Sequence, residues 1–398
     1  MHKPYIDASE ATARGEPDVQ PISATRVERA KAAYNTRRMD LSAARVLLAG
    51  ACVPRAGDLL LATVERIGQH SRLELSDGRR ATLHVGDEIL VCYGERYAPD
   101  QFEARLPPDL SPCDLVAAGG IAAKCGARHA RMKAPTRIRP VGLVADAEGR
   151  VLNLATWALP STGGTGARPP TIVVAGTMMN AGKTTAASML VLGLKRRGLR
   201  VGAAKVTGTG AGGDRWSLTD AGADHVVDFT DAGVASTFGL QREEVESVFV
   251  QLHAHLSACE VDAIVIEVAD GLLQRETAML LASPAFRARC DAMLFAAGDP
   301  LGAASGVARL RELGLPLLGV GGLLTASPLG VEEARSLLGV PVLDSAQLGA
   351  PDCEPIDALL ADRSPDRATR MPAVSAGVLA ARDYVKWVQG RPMAMAAS

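Results

Sequence analysis

Aromatic residues are scarce: the 398-residue chain has 3 Trp, 5 Tyr and 6 Phe, or 4% of its length. So few rings disfavour a base-stacking surface for single-stranded nucleic acid. An excess of one charge is missing too, since 43 Lys+Arg face 44 Asp+Glu for a formal net charge of -1. That excludes a wholesale polycation, though not a local basic patch. No apolar run approaches the roughly 18–20 residues of a membrane helix. The opening residues carry no apolar stretch of the signal-peptide kind. Seven cysteines lie scattered at 52, 92, 113, 125, 259, 290 and 353, odd in number and without a CxxC pair. That speaks against a disulfide framework and against a zinc knuckle, and the simplest reading is small core residues. These absences lead to the expectation of a soluble, cytoplasmic protein that does not engage a membrane.

What is present is glycine, 40 residues, and a hydrophobic fraction of 47%. The length suits two domains with real cores. Residues 1–43 read as a polar extension with one basic amphipathic helix over Thr25–Tyr34. Residues 44–165 read as a mostly-β, barrel-like domain and a linker. Gly57-Asp58 and Gly86-Asp87 each open an apolar run, and Ser76-Asp77-Gly78 is a hairpin signal. Leu159 to Gly166 is rich in Gly, Ser, Thr and Pro, as linkers are. From 166 to 365 short β-branched runs alternate with Ala/Leu/Arg helices, which implies a parallel sheet covered on both faces. Residues 366–398 hold one expected helix, Ser375–Val388, and a tail.

The strongest motif is TIVVAGTMMNAGKTTAASMLVLGL, Thr171 to Leu194. A buried strand ends, a loop of small residues follows, and Gly182-Lys183-Thr184-Thr185 opens a helix. Gly176 and Gly182 let the backbone curl so that N–H groups face an anion. The helix start adds donors and a positive dipole end. Lys183 suits β- and γ-phosphates, and the Thr184 hydroxyl suits Mg2+. The spacing departs from G-x-x-x-x-G-K-[ST]: the first glycine position falls on Thr177, and Gly176 lies one residue earlier. The expected nucleotide-binding set is Gly176, Thr177, Asn180, Ala181, Gly182, Lys183, Thr184 and Thr185.

The form G-T-x-x-x-x-G-K-T resembles the phosphate loop of dethiobiotin synthetase and its relatives among the SIMIBI-type P-loop NTPases. The next region is similar to the accessory GTPase of molybdopterin-guanine-dinucleotide biosynthesis. Lys205 ends a strand, Gly212-Gly213-Asp214 follows, and Ala221-Gly222-Ala223 comes seven residues after the Asp. Thr207-Gly208-Thr209-Gly210 also resembles a poorly characterised family of dethiobiotin-synthetase-like proteins. The resemblance covers about residues 170–345 and none is drawn for 1–165. It implies an α/β, parallel-sheet P-loop NTPase domain. It also implies that Glu267, closing the run VDAIVIEV, is the second-motif acid, and that Asp214 is the other acid near the metal. A Mg2+ shell of Thr184, Asp214, Glu267, waters and phosphate oxygens is chemically sensible. Asp220 competes with Asp214 for that place, and Asp270 is a further candidate. Lys205, at a strand end on the ligand side, is expected with Lys183 to offset charge on the transferred group.

Three activities fit. The first is an ATP- and Mg-dependent phosphoryl-transfer enzyme acting on a small, anionic molecule. It would be a kinase, or a ligase or cyclase working through an acyl- or carbamoyl-phosphate, in a homodimer. The second is an accessory GTPase or ATPase for cofactor delivery. The third is a polynucleotide 5′-kinase, guided by the basic run Lys124, Arg128, Arg131, Lys133, Arg137 and Arg139. No Asn/Thr-Lys-x-Asp base-reading motif follows a late strand, and ATP is favoured mostly by analogy with the resembling family. The ring-dense segment Tyr93–Phe102 reads either as a substrate loop at the barrel mouth or as a packed Ω-type loop. His253 and His255, two residues apart, do not share a helical face for a metal.

Overall fold

The computed structural model describes residues 17–160 and 168–362. Linker residues 161–167 and the expected helix Ser375–Val388 lie outside the described residues.

The N-terminal domain is built from β1 (Asp18–Pro21), α1 (Ala24–Arg29), β2 (Lys31–Ala32), β3 (Val46–Ala49), β4 (Leu59–Arg66), β5 (Arg72–Glu74) and β6 (Arg80–Thr82). After these come β7 (Glu88–Tyr93), β8 (Arg96–Tyr97), β9 (Phe102–Arg105), β10 (Cys113–Ala117), β11 (Ile121–Arg128) and β12 (Thr136–Ala145). The pairings β4–β7, β7–β11, β11–β10, β10–β12 and β12–β4 close on themselves, so five strands form a barrel. Closure removes the sheet edges that would otherwise invite pairing with another chain. Alternation along β4 sends Leu60, Ala62 and Val64 to one core cluster and Leu59 and Leu61 to another. Both faces of the wall are therefore covered. Gly57, Gly78 and Gly86 all take positive φ, and β5 and β6 form the hairpin that Ser76-Asp77-Gly78 signals.

Residues 18–43, expected as a separate extension, belong to this body. β1 pairs with β3 and β2 pairs with β7. The helix expected over Thr25–Tyr34 stops at Arg29. A six-residue helix gains little by itself, and the chain gains more by pairing Lys31 and Ala32 with Ile89 and Leu90. This also carries Tyr34 to full burial, with its hydroxyl donating to Asp228 of the second domain.

The C-terminal domain contains β13 (Thr171–Gly176), α2 (Lys183–Arg196), β14 (Val201–Lys205), α3 (Gly213–Asp220), β15 (His225–Asp228), α4 (Arg242–Ala258) and β16 (Ala263–Glu267). It continues with α5 (Arg275–Leu281), α6 (Pro284–Arg287), β17 (Ala292–Ala296), α7 (Pro300–Glu312), β18 (Leu317–Gly321), α8 (Pro328–Leu338), α9 (Ser345–Leu348) and α10 (Glu354–Asp362). The six strands run in the order β15-β14-β16-β13-β17-β18, all parallel. Every residue of β13, β16 and β17 is buried, as a sheet covered on both faces requires. One apolar cluster lies under α4, α5, α7 and α8, and another under α2, α9 and α10. β13 sits between β16 and β17, so its loop opens at the middle of the sheet's carboxyl edge, where ligands bind in open α/β folds.

Two buried arrangements join the domains. Arg37 pairs with Asp228 at 3.2 Å and Asp231 at 2.7 Å, with its guanidinium 4.1 Å from the centre of the Tyr34 ring. Asn35 donates to the Gly210 carbonyl at 3.3 Å. Gly119 lies against Gly210 so closely that a Cβ there would come within 2.2 Å of its carbonyl oxygen.

Among the described residues no helix is long and apolar enough to cross a membrane. Cys92, Cys113, Cys290 and Cys353 are buried, Cys52, Cys125 and Cys259 are half-buried, and all seven are free thiols.

Candidate functional site

The phosphate loop follows from local sequence. β13 ends at Gly176, where a side chain would come within 2.7 Å of the Ala296 carbonyl and 2.9 Å of Lys183. Gly182 caps α2 at φ 94, a conformation other residues rarely adopt. The start of α2 leaves its first N–H groups without intrahelical partners, which is what an anion needs. Lys183 is buried and folds back, its Nζ donating to the Met178 carbonyl at 2.7 Å. Burial pulls its pKa down, against the opposing pull of Glu267 and Asp270.

Four expected residues come together behind the loop. Register places Glu267 of β16 beside Val174 of β13 and Lys205 of β14. The Thr184 hydroxyl donates to Asp214 Oδ1 at 2.9 Å and lies 3.2 Å from Glu267 Oε1. Lys205 donates to Asp214 and stands 3.9 Å from Glu267. Burial raises the Glu267 carboxyl to about 7, helped by repulsion from Asp214 and opposed by both lysines. For Asp214 burial is outweighed by the Lys205 ammonium, which lowers its pKa. For Lys205 burial is outweighed by the two carboxylates, which raise it.

This oxygen set fits Mg2+. Glu267 is 2% exposed and its Oε2 has no hydrogen-bond partner among the described residues. Such an orphaned carboxylate oxygen is uncommon, and a hydroxyl and two carboxylates are hard ligands of the kind Mg2+ takes. Asp220, the competing acid, is exposed at the far end of α3.

The remaining expected residues divide. Ala181 is buried and its carbonyl accepts the Leu323 N–H at 2.9 Å, so the loop after β18 packs on the phosphate loop. Thr185 is exposed in the first turn of α2. The Thr177 N–H is spent on the Ala296 carbonyl at 3.0 Å, so it does not face an anion. The Asn180 amide donates to Asp100 of the barrel domain at 2.6 Å, so it too is engaged elsewhere. Thr207 clamps the far wall, its hydroxyl accepting the Ala269 N–H at 2.8 Å.

Asp100 is the residue that sequence reasoning did not single out. Its segment, Tyr93–Phe102, was flagged for its rings, and the structure sets that segment against the phosphate loop. The Gln101 carbonyl accepts the His129 N–H at 2.8 Å, which ties the loop to the basic hairpin. There Lys124, Arg128, Arg131 and Lys133 are exposed, while Arg137 pairs with Asp114 and Arg139 with Glu65. His253 is buried against the Thr171 hydroxyl at 3.1 Å. Among the described residues no group of three or more His, Cys, Asp or Glu is arranged to hold a metal.

Residues 171–270 match the family of molybdopterin guanine dinucleotide synthesis protein B. No curated protein matches the chain. The signal recognition particle 54 kDa protein of Aeropyrum pernix, in complex with GDP, is 17% identical at a TM-score of 0.34, over 52% of this chain and 50% of that one. The signal recognition particle receptor FtsY of Elizabethkingia anophelis is 18% identical at 0.33, over 50% of this chain and 68% of that one. The cell division ATPase MinD of Pyrococcus furiosus is 18% identical at 0.31, over 48% of this chain and 95% of that one. The chain thus spans half the length of the 54 kDa protein it matches. The C-terminal domain is a P-loop NTPase domain that binds nucleotide.

Proposed function

We propose that the protein is a Mg2+-dependent phosphoryl-transfer enzyme that takes ATP and passes its γ-phosphoryl group to a small molecule. The observation that carries this reading is the Asp100–Asn180 contact, which brings the barrel domain onto the phosphate loop. A second domain at that point gives an acceptor a wall to bind against. Lys183 and the start of α2 would hold the phosphates, and Lys205 would offset charge that develops on the transferred group. Mg2+ held by Thr184, Asp214 and Glu267 would neutralise and orient phosphate oxygens. The chemistry is a kinase's, or a ligase's through an acyl- or carbamoyl-phosphate. Exposed Met178, Leu273, Leu301 and Leu323 follow the ends of neighbouring strands and support pairing of two copies across this face.

A second reading, nucleotide hydrolysis by an accessory protein with GTP as substrate, is favoured by the family match at residues 171–270. Nucleotide turnover with and without a pool of small metabolites separates the two. ADP formation that depends on the pool supports transfer, and slow unstimulated GTP hydrolysis supports the accessory role. Lys183→Ala should abolish turnover while leaving the unfolding curve unchanged. A variant with wild-type turnover would refute the phosphate-loop assignment.

A further inference from the structure

The barrel-domain segment 94–102 and three loops of the NTPase domain meet beside Gly271, which packs on Thr177 of the phosphate loop. Between them lies a cavity of about 10 Å3, walled by Tyr97 from one domain and by Thr209, Phe238, Asp270 and Gln274 from the other. A water molecule needs about 10–15 Å3 by this measure, so the cavity has room for one such group. Asp270 is the carboxylate on its wall. Its neighbour Gly271 is pressed against the loop, since a Cβ there would fall 2.3 Å from the Thr177 carbonyl oxygen. Asp270 is therefore held next to the phosphate-loop backbone at Thr177, within electrostatic reach of Lys205 and Lys183.

Two more groups gather here with unmet hydrogen-bonding capacity. Asp100 holds Asn180 by one oxygen, and its other oxygen is buried without a partner among the described residues. Arg96 is 7% exposed, donates to the Val116 carbonyl and to Gln101, and keeps a buried Nε with no partner among them. Both act on Asp270 electrostatically. Orphaned buried polar atoms are few in folded proteins, and both of these groups belong to the barrel-domain segment that supplies Tyr97 to the cavity wall.

We propose that this cavity holds the attacking O–H group of the transfer reaction, and that Asp270 is the catalytic residue that takes its proton. The inference rests on the nucleotide reading above. The O–H oxygen bonds to the γ-phosphorus as the bond from that phosphorus to the β–γ bridging oxygen breaks. That electron pair leaves with the nucleoside diphosphate, and the proton passes to the Asp270 carboxylate. Burial raises the Asp270 carboxyl above its ordinary value, opposed by Lys205, Lys183 and Arg96, and a raised value suits a proton acceptor. An ionised carboxylate acceptor has no proton for Asp270 to take, so this inference deepens the kinase branch of that reading and not the ligase branch. The O–H belongs to water or to an alcohol group entering from the domain cleft.

The test compares full-length wild type with Asp270→Asn, using ATP and GTP with Mg2+. Nucleoside diphosphate release, phosphorus NMR of the products with and without methanol, and affinity for a fluorescent nucleotide analogue are measured. Asp270→Asn should lower turnover at least about 100-fold, the low end for a lost general base, with nucleotide affinity unchanged. Inorganic phosphate as sole product assigns the O–H to water, and methyl phosphate shows that the site admits an alcohol. An Asp270→Asn variant that binds nucleotide and turns over like wild type overturns the proposal. So does a wild-type protein that binds Mg2+-nucleotide yet forms no diphosphate with water or methanol. A wild type that binds no nucleotide refutes the phosphate-loop reading instead.

Discussion

Glu74 offers the sharpest test of how the two domains share the site. It lies on β5 of the barrel domain and is 1% exposed, yet its Oε2 accepts the Gly212 N–H at 2.9 Å. Gly212 is the N-cap of α3, and α3 carries Asp214 in its first turn. A carboxylate there satisfies a donor that the helix cannot, and faces the positive end of the helix dipole. Glu74→Ala removes a hydrogen bond to a charged group, worth about 1.5–3 kcal/mol. It also removes a dipole interaction of about 0.3–1 kcal/mol. The variant should therefore lose about 2–4 kcal/mol in urea unfolding. The start of α3 should loosen, and Asp214 with it. Loss of a partner that orients a metal ligand typically costs about 10–100-fold in metal affinity. The Mg2+ concentration for half-maximal turnover should rise at least about tenfold on that basis. Nucleotide affinity in EDTA should hold, because Lys183 and the start of α2 do not touch Glu74. Glu74→Gln keeps an acceptor without the charge and should fall between. A destabilised Glu74→Ala with an unchanged Mg2+ requirement would refute the reasoning, because Asp214 would then not depend on the barrel domain.

Arg37→Ala should destabilise the protein by about 3 kcal/mol, the low end for a broken buried pair, since Asp228 loses its arginine and keeps the Tyr34 and Thr230 donors, while Asp231 retains Arg215 at 3.1 Å. Chemical unfolding measures this, and Arg37→Lys should recover little because lysine lacks the planar fork. Stability should also fall on acidification between pH 6.5 and about 4, because burial holds His70 and His253 down to about 4 from 6.5. In that window the unfolded chain takes up protons that the folded chain does not, at a cost of at most about 3 kcal/mol per histidine. Urea midpoints across this range should track the loss, and His253→Gln should flatten the slope.

The parts of the site that were legible in sequence are local. β13, its loop and α2 follow one another within 26 residues, from Thr171 to Arg196, so strand pattern, glycine placement and helix start could be read in one pass. Glu267 and Asp214 were singled out through the family resemblance, Glu267 as the close of a readable strand and Asp214 in the Gly-Gly-Asp that follows Lys205. What stayed hidden is long-range. Tyr34 and Asp228 are 194 residues apart, and Asp100 and Asn180 are 80 apart. No periodicity in either segment signals the other. The helix expected over Thr25–Tyr34 failed for the same reason, because its continuation was overruled by β7. The Thr177 N–H looked free from its place in the motif, and only the position of β17 shows that Ala296 takes it.

Charge around the phosphate loop comes from both domains. The NTPase domain brings Lys183 and Lys205 against three carboxyls, Asp214, Glu267 and Asp270, and burial raises the pKa of the last two. On the proposed reading Mg2+ would offset the pair formed by Asp214 and Glu267, whereas Asp270 lies outside that pair, next to the Gly271 that packs on Thr177. Besides Lys205 and Lys183, Arg96, which the barrel domain supplies, acts on Asp270 electrostatically. Arg96 is itself held by the Val116 carbonyl and Gln101, both in the barrel domain. Burial lowers its pKa to about 10, which still leaves it charged at neutral pH. On the same reading the barrel domain would do two things: supply with Arg96 a positive charge that acts on Asp270, and close with Tyr97 a water-sized space against Asp270 that a small nucleophile could fill.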